Sequence, residues 1–93
     1  MTVASVQIKL YAPWVHSLKE KRSLVKSLLA KVKSKFNVSA AEVGEQDVHQ
    51  TAVMGFAVVS GSVQLANSTL DTVVQFIEDN TEAEIIEVIR RTD

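Results

Sequence analysis

The stretch ASVQIKLYAPWVHSLKEKRSLVKSLL, residues 4–29, changes its hydrophobic period halfway along. Over residues 4–11 apolar and polar side chains alternate, which is typical of a strand with one buried face. Pro13 interrupts this pattern. Ser17 and Glu20 then form an S-x-x-E capping box, which predicts a helix beginning at Leu18. A strand followed at once by a helix indicates a domain that mixes α and β elements.

The same two periods alternate through the rest of the chain. Apolar residues at helical spacing continue the first helix to Phe36, and Asn37 is expected to close it. The later elements are expected as a strand at 38–43, a central strand at 51–60, a helix from 65 to about 79 and a strand at 84–90. The predicted order is βαββαβ.

Two βαβ units with right-handed crossovers predict an α+β ferredoxin-like sandwich, with a four-stranded antiparallel sheet and both helices on one face. The other sheet face then has no cover within the chain. The first strand would present Ser5, Gln7, Lys9 and Tyr11 there, and the central strand would add apolar side chains. Because a half-apolar open face is usually covered by a second copy, we expect a homo-oligomer, most simply a dimer through the sheet.

Composition narrows the class of protein. With 93 residues the chain is expected to form a single domain, residues 1–93. It has no cysteine, which excludes disulfides and thiol chemistry. Its N-terminus lacks the features of a signal peptide, and no apolar run approaches the roughly 20 residues of a membrane span. We expect a cytoplasmic protein without a membrane partner.

Charge is strongly polarised along the chain. Seven of the ten basic residues lie between residues 19 and 35, whereas ten of the eleven acidic residues lie outside that stretch. On a helix the basic residues flank an outward ridge of small side chains, so they can reach around it toward an anionic partner. The candidate contacts are Lys26, Lys33, Lys31, Lys35, Lys19 and Arg22. The alternative is a solvated helix whose lysines only confer solubility.

The predicted topology also brings the start of the first helix beside the hairpin that joins the second and third strands. We therefore expect a structural ionic latch in which Lys19, Lys21 or Arg22 meets Glu42 or Asp47. Of the basic residues, Lys19, Lys21 and Arg22 are then the ones that hold the fold, and Lys26, Lys31, Lys33 and Lys35 remain for a partner.

Catalytic features are scarce. His16 and His49 are expected at the same edge, where a metal or acid–base role is the alternative to the latch. No nucleophile with an adjacent base, glycine-rich phosphate loop or paired-histidine motif occurs. We therefore predict no catalytic residue, metal or cofactor. The five aromatic residues lack the basic–aromatic pattern that stacks bases, so RNA contacts would be directed to the backbone, and DNA is not an expected partner.

The residues Ser17 to Arg22 (SLKEKR), followed by 36–43 (FNVSAAEV) and Gln46-Asp47, resemble the YlxP-like family of small bacterial domains. The resemblance runs from the first strand to the last. It implies a ferredoxin-like fold, a cytoplasmic location and self-association, and it implies a ribosome-associated role through genes that neighbour family members. No catalytic residue is implied.

These observations lead to two functional hypotheses. The first is a non-enzymatic interaction module whose basic helix contacts rRNA or a ribosome-assembly factor. The second is a regulatory domain that binds a small molecule, or a structural oligomerisation domain.

Overall fold

The computed structural model describes all 93 residues. Its elements are β1 (Thr2–Tyr11), α1 (Leu18–Lys35), β2 (Ser39–Gly44), β3 (Thr51–Ser60), α2 (Val63–Asp79) and β4 (Glu84–Thr92). Each helix begins at a serine that satisfies free backbone donors: Ser17 accepts the N–H of Glu20, and Ser62 accepts the N–H of Leu65. The first helix therefore begins where the capping box predicts, and it ends one residue earlier than expected, with Phe36 rather than Asn37 as its C-cap.

The four strands form one antiparallel sheet in the order β2-β3-β1-β4. The two central strands pair along their whole length, from Thr2 opposite Ser60 to Tyr11 opposite Thr51. Together with the βαββαβ order, this sheet confirms the predicted ferredoxin-like α+β fold.

A single core of 18 buried residues lies between the sheet and the two helices. The sheet supplies the even-numbered residues of β1 and β3, and α2 supplies residues spaced by three or four. These buried residues are Ala4, Val6, Ile8, Leu10, Ala52, Met54, Phe56, Val58, Ala66, Leu70, Val73 and Ile77. Each large apolar side chain buried in this way contributes about 1.5–3 kcal/mol, so the core outweighs the surface ion pairs in stabilising the fold.

The opposite face of the sheet has no covering element. On it Gln7 and Tyr11 are exposed, whereas Ser5 and Lys9 are half-buried between neighbouring strands. Three large apolar side chains on this face are exposed as well: Val59 (65%), Val43 (52%) and Ile89 (41%). We call this surface the open sheet face.

A β-bulge shapes the centre of the open sheet face. The register between β2 and β3 shifts between Glu42 and Gly44, which leaves Val43 as the extra residue. A Cβ atom placed on Gly55 would lie 3.2 Å from Val43 Cγ1, so glycine allows Val43 to lean over β3. The missing side chain also leaves a shallow depression of about 420 Å³ bordered by Gln7, Ile89 and Arg91.

Candidate interaction surface on the first helix

The helix α1 presents three faces. Its core face carries Val25, Leu28 and Val32, all buried. One shoulder points toward β2, the edge strand beside it, and the other points toward α2. The predicted partner-binding residues divide between the shoulders: Lys19, Arg22, Lys26 and Lys33 lie on the β2 side, and Lys31 and Lys35 on the α2 side.

Lys21 lies on the core face and is only 1% exposed. Its Nζ donates hydrogen bonds to the backbone carbonyls of Glu45 and, at 2.6 Å, of Val48. The same ammonium lies 3.2 Å from the carboxylate of Glu42, whose Oε2 is buried and accepts no hydrogen bond, so that contact is an ion pair only. Three oxygens thus replace the water that a buried cation loses.

This arrangement brings together one residue from each side of the predicted latch, Lys21 and Glu42. Of the others, Arg22 and Asp47 form no ion pair. Arg22 follows Lys21 by one residue, which is about 100° around the helix, so its side chain lies on the β2 shoulder instead of under the hairpin loop. Lys19, which was also expected to hold the fold, is exposed and unpaired.

Lys35 is used differently from the other predicted partner contacts. Its Nζ lies 4.9 Å from the centroid of the Phe76 ring and 6.0 Å from that of Phe36. The two rings pack edge to face, with centroids 5.5 Å apart. A cation at this distance from an aromatic face is attracted by the ring quadrupole. Lys35 therefore contributes to the contact between the two helices.

Apart from Lys35, which packs on aromatic rings, five cations of α1 are exposed without an acidic partner. They are Lys19, Arg22, Lys26, Lys31 and Lys33. Their charge is not neutralised within the chain, so it acts on whatever approaches this side of the molecule.

A groove separates α1 from β2. It has a volume of about 440 Å³, and Val25, Leu29 and Ala30 of the helix form its apolar floor. Arg22, Lys26 and Lys33 border it. Glu42 closes it on the strand side, where its carboxylate is paired with Lys21. This groove could not be predicted from the sequence, because its width depends on how far the helix stands from the edge strand.

The loop between β2 and β3 is fixed from the open sheet face as well. Lys9 Nζ lies 2.6 Å from Glu45 Oε2, and the Thr51 hydroxyl donates to Glu45 Oε1 at 3.0 Å. The hydrogen bond from Lys9 holds the pKa of the Glu45 carboxyl below its usual value, and that from Thr51 adds to the effect. The same hydrogen bond raises the pKa of Lys9. Glu45 also has a positive φ of 51°, a conformation in which a non-glycine residue is uncommon.

The two histidines lie at the expected edge of the sheet, but they are not grouped with other side chains that could bind a metal ion. Both His16 and His49 are exposed, and no three His, Asp or Glu side chains are grouped closely enough to hold a metal ion. In addition, neither helix combines the length and the apolar content that crossing a membrane requires.

The fold and this surface define the class of protein as a small ferredoxin-like α+β domain with a basic helix beside an edge strand. The family model described as "Protein of unknown function (DUF503)" matches residues 3–90. A relative from Bacillus subtilis (strain 168), described as "Uncharacterized protein YlxP", is 43% identical over 77 residues, which are 83% of this chain and 82% of the relative. The chain belongs to the DUF503 family, and the resemblance to YlxP-like domains is confirmed.

The substitution Lys21→Met tests the buried cation. It keeps the length of the side chain but leaves the Glu42 carboxylate and two carbonyls without their partner, so we expect the free energy of unfolding to fall by about 3 kcal/mol. Urea denaturation measures the loss. The matched control, Lys31→Met, changes an exposed lysine of the same helix and should alter stability by less than about 0.5 kcal/mol.

Adding Glu42→Gln to Lys21→Met should restore part of the loss, because the double variant no longer buries an unpaired charge. The single variant Glu42→Gln completes the double-mutant cycle, and a loss in the double variant equal to the sum of the two single losses would show that Glu42 and Lys21 are not coupled.

The Lys9–Glu45 pair predicts a dependence of stability on pH. Since the folded-state pKa of Glu45 is lowered, its contribution is present above the unfolded-state pKa of about 4.3 and is lost as pH falls through the folded-state value. The pKa of Lys9 is raised, so its contribution is lost as pH rises through a value above 10.5. A double-mutant cycle with Lys9→Gln and Glu45→Gln, measured by urea denaturation from acid to alkaline pH, should show coupling near neutrality that vanishes at both extremes. A coupling that does not change with pH would contradict this assignment.

Proposed function

We propose that the protein is a non-enzymatic interaction module of the cytoplasm that binds the phosphate backbone of rRNA through α1. The observation that carries the proposal is the set of five exposed α1 cations without an acidic partner in a chain of net charge −1. Of the basic residues outside α1, Lys9 and Arg90 are paired with Glu45 and Asp71, and only Arg91 has no acidic partner. The unneutralised positive charge is therefore concentrated on one helix.

The form of α1 suits a phosphate backbone. Its outward ridge carries Ser23, Ser27 and Ser34, all exposed, between the two basic shoulders. Small side chains allow a convex anionic surface to approach the helix, and the longer lysines and the arginine then reach phosphates on either side. A ribosome-assembly factor with an acidic surface is the other partner that this helix suits, because the same cations would pair with carboxylates.

Binding of this kind should be strongly dependent on salt. Each phosphate neutralised by the protein releases a counterion, so the logarithm of the association constant falls linearly with the logarithm of the salt concentration, with a slope of about −0.7 to −0.9 per contact. With a fluorescently labelled 16S rRNA fragment, the triple variant Lys26→Gln, Lys31→Gln, Lys33→Gln should therefore show a slope that is shallower by about 2–3. Fluorescence anisotropy at several salt concentrations measures it.

The control carries the same change in net charge on the other helix. The substitutions Gln64→Glu, Ser68→Glu and Thr72→Glu alter exposed outward positions of α2, and they should leave the slope unchanged. RNA binding that is independent of salt, or equal effects of the two triple variants, would overturn the proposal.

We propose the open sheet face as a second functional surface, with a structural role in which two copies pack sheet against sheet. The exposed side chains of Val43 and Ile89 border the depression at Gly55, and Val59 is exposed farther along the same face. Burying these three side chains against a second copy removes apolar area from water. Regulation by a small molecule held in the same depression is the alternative.

Two adjacent residues of β4 provide a matched test of the open sheet face. Ile89 pairs with Gln7 and lies on that face, whereas Val88 pairs with Ile8 and lies on the helix side, and their exposed fractions are 41% and 44%. By sedimentation equilibrium we expect a wild-type dimer that Ile89→Lys dissociates and Val88→Lys retains. A wild-type protein that is monomeric at every concentration would eliminate the structural role and leave the depression free for a ligand.

A further inference from the structure

The edge strand β2 lacks outward charges and proline, two of the features that prevent an edge from pairing with another chain. Its sequence is Ser39-Ala40-Ala41-Glu42-Val43-Gly44, without lysine, arginine or proline. Its one charged residue, Glu42, turns toward α1 and pairs with Lys21. Natural edge strands are usually protected by outward charges, by proline or by a covering element. The bulge at Val43 ends the regular pairing, so the unprotected stretch is Ser39 to Glu42.

The other edge of the sheet is different. The strand β4 carries Glu84, Glu87, Arg90 and Arg91. Arg90 is held by Asp71 and Asn67 of α2, which ties that edge to the helix layer. The sheet therefore has one edge, β4, that is charged and bonded to α2, and another edge, β2, that is made mostly of small neutral residues.

The groove described above is lined on the strand side by Glu42, the last residue of the unprotected stretch of β2. Its floor is apolar, and Arg22, Lys26 and Lys33 stand beside it without an acidic partner. Because the Glu42 carboxylate is neutralised by Lys21, it does not cancel this positive charge. A helix running beside a free strand edge is an arrangement that can accept an extended peptide as an additional strand, with backbone hydrogen bonds giving affinity and alternate side chains giving specificity.

We propose that β2 and the groove form a strand-addition site for an extended acidic segment of a partner protein. The segment's backbone pairs with Ser39 to Glu42, and every second side chain points into the groove. An apolar side chain covers Leu29 and Ala30, and acidic side chains on either side of it meet the three cations. The proposal rests on the proposed function in that both use the basic shoulder of α1, but its ligand is a protein segment and not RNA.

The geometry sets the spacing of the ligand. Arg22 and Lys33 are eleven residues apart, which is about 16 Å along a helix. Residues i and i+4 of a strand lie on the same face, about 13 Å apart. The flexible arginine and lysine side chains accommodate the difference of about 3 Å between the helix and strand spacings. The ligand pattern is therefore acidic, any residue, apolar, any residue, acidic.

The test uses a fluorescently labelled peptide with a Glu-Thr-Leu-Thr-Glu core, in which both glutamates and the leucine face the groove. The control peptide, with a Thr-Glu-Leu-Glu-Thr core, has the same composition and charge but turns its glutamates away. We expect the full-length protein to bind the first peptide at least about tenfold more tightly, a difference of about 1.4 kcal/mol. Fluorescence anisotropy measures both affinities.

Two variants of the protein locate the site. Lys33→Gln removes a cation that borders the groove, and we expect it to weaken binding of the first peptide severalfold. Lys31→Gln removes a cation of the same helix on the opposite shoulder and should leave peptide affinity unchanged, whereas it should weaken RNA binding as much as Lys33→Gln does. Circular dichroism of both variants verifies that α1 is intact.

The outcomes separate the two proposals. Equal affinity for the two peptides, or equal effects of Lys31→Gln and Lys33→Gln on the first peptide, overturns strand addition whether or not RNA binds. Absence of peptide binding together with salt-dependent RNA binding assigns the shoulder to RNA and also overturns it. Loss of self-association in Lys33→Gln would show that a second copy occupies the groove and would overturn the acidic segment as its ligand. Selective peptide binding without RNA binding supports strand addition and overturns the RNA proposal instead.

Discussion

The interaction on which the candidate surface depends is the burial of the Lys21 ammonium against three oxygens of the β2–β3 segment. A charge in this position is costly unless it is fully paired, so the helix and the hairpin loop must stay in register with each other. The loop contacts the ammonium through the backbone carbonyls of Glu45 and Val48. These contacts fix the backbone path of the loop as well as the positions of its side chains. The carboxylate of Glu42 extends the same constraint into β2. The width of the groove is therefore set by a polar contact at one end.

The cations of α1 consequently have different roles although they are close in sequence. Lys21 is an internal structural element, Lys35 packs on aromatic rings, and the remaining five are free. Two adjacent residues, Lys21 and Arg22, show the difference most clearly, since one helical step separates a 1% exposed side chain from one on the surface. A net charge near zero says little about such a molecule, because most of the positive charge that is available to partners lies on one helix.

The elements could be predicted from the sequence because they depend on local patterns. The structure has the elements that three local patterns predicted: the alternation in β1, the capping box at Ser17 and the apolar run of β3. The role of Lys21 also had a signal, since it precedes Val25, Leu28 and Val32 at a spacing of four, seven and eleven and thus interrupts the apolar stripe. The latch was predicted for Lys19, Lys21 or Arg22 because the direction of the hairpin loop was not known. The contact of Lys35 with Phe76 and the groove beside β2 depend on tertiary distances, which local patterns do not encode.

The central position of β1 has a consequence for the synthesis of the chain. The N-terminal strand pairs with β3 and β4 and with no nearer segment. The strand therefore has no partner in the sheet until about 50 further residues have been added. At a synthesis rate of about 5–20 residues per second this interval lasts about 3–10 s. In the folded domain the apolar side of β1 packs against α2, which is completed about 20 residues after β3. The first strand to be synthesised is therefore among the last to be covered by its helix.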